Sequence, residues 1–285
     1  MNPKSQSAME YLMTYGWSIL IIAIVLVVLF SLGVFNTNNY ASKAAPGACR
    51  VFRSADVSDV VGICNEEPQF VAQFNGQSNY VYAPLGIYFG GNNPLTASAW
   101  AYISPNTNGP IFGVTASPPG YGWDMPFLSS DGLTVYGMIW DIPALQFTVP
   151  SSGWYYLTIT YNPYGSGQLI FYVNGKDVAS ETGQYSPSGS ADYWTTYISG
   201  AKPTGVNDYL LGDIANVQAY NTSLSGNEIQ ALYLEGIGGA PVEPQHIVGW
   251  WPLNGNAYDY SGDYNNGTST SVTYSSTWTS AYTPP

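Results

Sequence analysis

The chain has 285 residues, and only 8% of them are charged, against about 25% in an ordinary soluble domain. Lys and Arg number 6 against 18 Asp and Glu, for a formal net charge of −12; this excludes a nucleic-acid binder, which needs a basic surface facing phosphates. The 25 Tyr and 9 Trp exclude a disordered chain, which is poor in aromatics. Charge is divided unevenly. Residues 1–53 hold Lys4, Lys43, Arg50 and Arg53 against Glu10, whereas residues 54–285 hold 17 acids against Lys176 and Lys202. A bulk rich in Asn, Ser, Thr, Gly and Tyr suits a surface outside the cell.

In chain order, the first predicted element is a helix. No charge falls among the 32 residues between Glu10 and Lys43, and residues 19–35 read ILIIAIVLVVLFSLGVF. Taken with residues 11–18, this run is long enough to cross a bilayer core of about 30 Å, and it lacks the polar stripe of a soluble core helix. One reading is a secretory signal peptide with a late cleavage site near residues 41–45, although the run exceeds the usual apolar core of about 7–15 residues. A second is a plain membrane anchor. The residues ahead of the run point to a third. Lys4-Ser5-Gln6-Ser7-Ala8-Met9-Glu10-Tyr11-Leu12 resembles the archaeal class III signal peptide of type IV pilin-like subunits, with Ser5 where Gly or Ala is more usual and Ala8 where Ser is often found. The resemblance implies a leader of residues 1–5, cut between Ser5 and Gln6 by a prepilin-type signal peptidase. Residues 6–35 then form the membrane and filament-core helix. A carboxylate at the edge of hydrocarbon is costly unless paired. On this reading Glu10 meets the freed α-amino group of the next subunit and sets the axial step of an oligomer or filament; the alternative is an interfacial acid in water. The bases after the span point the positive-inside rule the wrong way, so the motif is what places the C-terminus outside.

Residues 36–67 read as a linker. Within it Cys49 and Cys64 close a loop with 14 residues between them. In an exported protein such a pair bridges, worth about 3 kcal/mol by the chain-entropy model for a loop of about 15 residues; in a reducing compartment it is two buried thiols. From residue 68 the pattern turns to short strands separated by turn residues, the mark of a β-sandwich. Strands are predicted over residues 70–74, 96–103, 134–142, 154–161 and 213–220. Residues 169–179 (LIFYVNGKDVA) form a hairpin, because Asn174-Gly175 supplies the two positive φ angles of its turn. Ser225-Gly226-Asn227-Glu228 is a capping box, opening a short helix over residues 226–235 that stops at Gly236. No phosphate loop and no repeat of 20–50 residues occurs.

These segments resemble a known domain. FNGQSNYVYAP at 74–84, LTASAWAYI at 95–103, WYYLTITYN at 154–162, LIFYVNGKDVAS at 169–180 and IANVQAYNTSLSGNEIQALY at 214–233 look like successive strands of a LamG-like, concanavalin A-like jelly roll. The fold class implied is mainly β, a sandwich over residues 68–274 preceded by the N-terminal helix and followed by a flexible tail at 275–285. VGWWPLNGNAYDYSGDYNNGT at 248–268 resembles the segment that opens such domains, yet here comes last. It completes its own sandwich, begins a truncated second copy, or pairs with a neighbouring subunit; the first is favoured, since an unpaired strand carrying Trp250 and Trp251 invites aggregation.

Chemistry is sparse. The lone His246 rules out a multi-His metal site and makes a Ser–His–Asp triad improbable. Glycosidases of related fold need paired carboxylates, and no predicted strand carries acids at alternate positions. Glu66 and Glu67 are adjacent and sit in a turn, so a non-enzyme is expected. Tyr121, Trp123 and Asp124 in PPGYGWDMP offer an aromatic face and a carboxylate for a sugar, or a Trp folded over the sandwich edge. Asp259, Asp263 and Asn265 supply oxygens for Ca²⁺ or an Asx-rich turn, and no cofactor is assigned. Asn221 and Asn266 open glycosylation sequons. The expectation is an archaeal type IV pilin-like surface subunit whose partners are the membrane, the signal peptidase, other copies of itself and a glycan ligand. The alternatives are a monomeric, membrane-anchored lectin-like protein and, less well supported, a secreted carbohydrate-active enzyme.

Overall fold

The computed structural model describes residues 20–27, 50–52, 59–61, 67–84, 93–116, 124–139, 143–184, 194–200 and 209–285. The chain divides into two compact units, Met1–Ala44 and Ala45–Pro285. In the first, residues 20–27 are helical (α1) and their apolar side chains are exposed. Among the described residues no helix is long and apolar enough to cross a membrane; the rest of the expected 6–35 span lies outside them, as do Ser5, Gln6, Glu10, Cys49 and Cys64.

The second unit opens with β1 (Arg50–Phe52) and β2 (Asp59–Val61), an antiparallel pair of their own. The domain proper follows: β3 (Val71–Asn75), β4 (Tyr80–Ala83), β5 (Leu95–Ile103), β6 (Asn108–Ala116), β7 (Asp124–Asp131), β8 (Thr134–Gly137), β9 (Leu145–Thr148), β10 (Gly153–Asn162), β11 (Gln168–Val173), β12 (Lys176–Glu181), β13 (Trp194–Ile198), β14 (Leu211–Tyr220), α2 (Gly226–Leu234), β15 (Ile247–Trp251), β16 (Thr268–Thr270) and β17 (Thr273–Ser275). The first sheet runs β12-β11-β10-β5-β14, and β14 takes two partners on its far side, β3 along its first half and β15 along its second; β17 extends β3. The second sheet runs β16-β4-β13-β6-β7-β8-β9. A single bridge, Leu211 to Asn108, joins them.

The two sheets face each other across one core, a mainly β jelly-roll sandwich. Alternation sorts the side chains. On β10, Leu157, Ile159 and Tyr161 enter the core between the sheets, while Trp154 and Tyr156 enter a second core on the opposite face of the first sheet. There Trp100, Tyr172, Tyr220 and Trp250 pack beneath Ile229 and Leu232 of α2. The middle of the first sheet, β5, β10 and most of β14, is thus buried on both faces. The capping box forms as spaced: Ser225 Oγ accepts from the N–H of Glu228, and Glu228 Oε2 accepts from the N–H of Ser225 at 2.6 Å. The β11–β12 turn carries Asn174 at φ 51° and Gly175 at φ 74°, the primed geometry that suits a twisted hairpin.

Two expectations are corrected. The strand predicted over residues 134–142 ends at Gly137, where an added Cβ would meet the Phe171 ring at 2.6 Å. The stretch at 275–285 is no flexible tail. Trp278 is 4% exposed and its Nε1 donates to the Pro68 carbonyl at 3.1 Å, while the Tyr282 hydroxyl accepts from the N–H of Ile237 at 3.0 Å. The two rings stack edge-on against Trp154 and Trp100. Aromatic area that large buries itself when a matching aromatic surface lies within reach.

The segment at 248–268 lies within its own domain. Strand β15 pairs with β14, Trp251 fills the inter-sheet core and Trp250 the second one. Trp250 Nε1 donates to Asn216 Oδ1 at 2.7 Å. The Asp259 carboxylate fixes the following turn, accepting from the N–H of Trp250 (2.9 Å), of Ser261 (2.8 Å) and of Asn265 (2.8 Å) and from the Ser261 hydroxyl (2.9 Å).

Candidate functional site

The second core does not reach the first half of β14. Beyond α2, strand register lays Trp154, Tyr102, Asp213, Gln73 and Thr273 side by side on β10, β5, β14, β3 and β17. All five project from the face opposite the inter-sheet core, since their neighbours Ile103, Ile214, Ala72 and Phe74 belong to that core. A sheet places residues opposite one another about 5 Å apart, so this row is a continuous strip. Its middle is aromatic-to-polar in sequence: the Tyr102 ring stands edge-on to Trp154 at 6.0 Å, and Asp213 sits directly opposite Gln73.

The part of the strip from Tyr102 to Thr273 lines a cleft of about 370 Å³, at the lower end of the range for small-molecule sites. The β5–β6 turn forms one wall. Thr107 is held there by its own bonds to the Tyr102 carbonyl (3.2 Å) and the Ser104 N–H (2.9 Å), which leaves exposed Asn106 at the mouth. The turn after β3 forms the other wall, where Asn75 Oδ1 accepts from the N–H groups of Gln77 and Ser78. Asn79 also lines the cleft and is buried; its Nδ2 donates to the Ser271 carbonyl, and its Oδ1 has no partner. Burial raises the Asp213 carboxyl above its ordinary value of 3.8, an effect the neighbouring Gln73 amide partly offsets.

Among the described residues lining the cleft, Asp213 is the one acid, and no Lys or Arg joins it. A hydrolytic carboxylate pair is therefore not assembled from these residues. The described residues also hold no group of three or more His, Cys, Asp or Glu suited to a metal. The set can accept and donate hydrogen bonds, and can offer a ring face, to a small polar ligand.

The residues singled out from sequence lie elsewhere. Tyr121 and Trp123 fall outside the described residues, and Asp124 begins β7 with its side chain outside them. Asn221, at the end of β14, is exposed and bonded through Oδ1 to Nδ1 of His246 at 3.1 Å. Asn266 is exposed and accepts from the N–H of Asp259. The oxygens of Asp259 are occupied by four donors, and the Asn265 side chain donates to the Val248 carbonyl; this cluster is a turn that seats Trp250. The cleft residues Gln73 and Asp213 escaped notice because each sits inside an apolar strand. The available signal was their polarity at positions whose in-phase neighbours, Val71 and Ala215, belong to the second core.

The sequence matches the concanavalin A-like lectin/glucanases superfamily over residues 75–230, and the chain belongs to that superfamily. Among solved structures, a protein of Bacteroides ovatus provisionally described as carbohydrate-binding is 15% identical, with a TM-score of 0.54 over 74% of this chain and 60% of its own. A Trypanosoma rangeli sialidase in complex with sialic acid is 20% identical, with a TM-score of 0.47 over 76% of this chain and 40% of its own. The heptameric SAP-like pentraxin of Limulus polyphemus is 11% identical, with a TM-score of 0.42 over 72% of this chain and 94% of its own. The first likeness shows the shared fold. No curated protein matches the chain.

Proposed function

We propose that this chain is a cell-surface protein of the archaeal type IV pilin-like class. Its apolar N-terminal segment anchors and assembles it, and its jelly roll recognises glycans outside the cell without altering them. The observation that carries the recognition half is the strip Tyr102–Asp213–Gln73–Thr273, an aromatic face continued by hydrogen-bonding side chains in a cleft of fitting size. Such a pairing of one ring face with a few placed polar groups suits a sugar. Membership of a lectin-containing superfamily and the provisional carbohydrate-binding role of the Bacteroides ovatus protein support the same reading.

The display half is supported by the Ser5–Gln6–Glu10 motif and the uncharged run behind it. N-terminal sequencing of the mature protein tests it, with Gln6 expected as the first residue. Glu10→Gln should abolish filaments while leaving that cleavage in place. An unchanged oligomeric state would leave a tethered, monomeric lectin-like protein instead. For recognition, binding of the full-length protein to immobilised glycans should fall at least tenfold in Asp213→Ala, on the order of one or two lost charge-assisted hydrogen bonds.

A further inference from the structure

The cleft's chemistry restricts which sugars it can hold. Its one charged group among the described lining residues is a carboxylate, and the polar side chains beside it are amides and hydroxyls. An amide next to a carboxylate suits two neighbouring hydroxyls: the carboxylate accepts from one, and the amide donates to the other. Asp213 and Gln73 sit opposite each other on adjacent strands, so they face such a pair together. The Tyr102 ring, braced edge-on by Trp154, lies on the next strand of the row, where an apolar C–H face of a ring can rest. Everything on offer pairs with hydroxyls, and nothing on offer neutralises an anion.

The charge of the surroundings acts the same way. Residues 54–285 hold 17 acids against two bases, so an anionic ligand meets a repulsive field on approach and a carboxylate at contact. One like-charge pair a few ångströms apart in a half-buried site costs a factor of about ten or more in affinity.

We propose that the Asp213 cleft selects uncharged sugars, reading two adjacent hydroxyls with Asp213 and Gln73 against the Tyr102 ring, and rejects sialylated or sulfated ones. The inference rests on the reading of this cleft as a glycan site. The test is an array of immobilised neutral glycans, each paired with its sialylated and sulfated counterpart, probed with the full-length protein. Neutral glycans binding at least about tenfold better than their acidic counterparts supports the proposal. Acidic glycans binding equally well or better overturns the selectivity and leaves glycan recognition standing; no binding to either kind overturns recognition itself, and the selectivity with it. Two variants place the effect at this strip. Asp213→Asn keeps shape while removing charge, and should shrink the neutral-to-acidic ratio to about threefold or less. Gln73→Glu puts a second carboxylate on the same row and should widen that ratio. A ratio unmoved in both variants, each folded by circular dichroism, overturns the assignment.

Discussion

At the residue scale, Asp213 works against the fold that holds it. A carboxyl whose pKa is raised on folding binds its proton more tightly in the native state than in the unfolded one. Stability therefore falls as pH rises through the window between 3.8 and the raised value. Below 3.8 the penalty is absent; above the raised value it is fully present. Asp213→Asn is expected to raise the melting temperature at neutral pH, with the gain vanishing below about pH 3.8. Thermal unfolding of both proteins across pH 3–8 checks this, and a gain that persists at acid pH would assign the effect to something other than the charge. Asn216 is the contrasting case. Also a polar residue inside β14, it is satisfied: its Oδ1 accepts from Trp250 Nε1 and its Nδ2 donates to the Gly239 carbonyl at 2.8 Å. Its φ of 47° is one that Asn tolerates. Asn216→Ala should cost about 1–3 kcal/mol in denaturant unfolding, since it strands a buried indole N–H. Sequence patterning alone would not separate these two residues, because the difference lies in what stands across from each.

At the element scale, local chemistry was legible and long-range contact was not. The Asn174-Gly175 turn and the Ser225–Glu228 box are written in four residues or fewer, and both form where spaced. Strands β6 and β7 were not predicted. Gly109, Pro110 and Gly113 interrupt the alternation of β6, Pro126 that of β7, and their pairing shifts register near Pro110 and Phe112. Bulges of this kind hide a strand from a period-two reading. The C-terminal stretch misled for a different reason. Its composition is that of a tail, and distant partners, Pro68, Trp100, Trp154 and Ile237, make it structure. These two kinds of element should respond differently to mutation. Ser225→Ala, an exposed cap, should cost about 1 kcal/mol, whereas Trp278→Ala should cost about 3–5 kcal/mol. Equal losses in urea titrations would contradict the tight seating of Trp278.

At the scale of the whole molecule, the strand order explains why the cleft exists. Strand β14 is central, flanked by β5 on one side and by β3 and β15 in succession on the other. Helix α2 and the C-terminal turn cover the half that faces β15, and the half that faces β3 stays open. The order of strands along the chain could be read from the segments resembling a jelly roll. Their division between covered and open halves depends on register, which no single segment carries. A chain ending before Ile247 would lose β15 and β17 together, unpairing one edge of β14 and of β3. Expressed alone, it should lack the near-ultraviolet circular dichroism of the intact protein.

The pairing of β3 with β17, residues at opposite ends of the domain, also bears on how the protein is made. A ribosome delivers β3 some two hundred positions before its mate. Until those last residues emerge, one edge of β3 lacks its partner while the other can already pair with β14, and contacts so distant along the chain form slowly. The β3–β17 pair is therefore the last of the sheet's pairings that synthesis makes available.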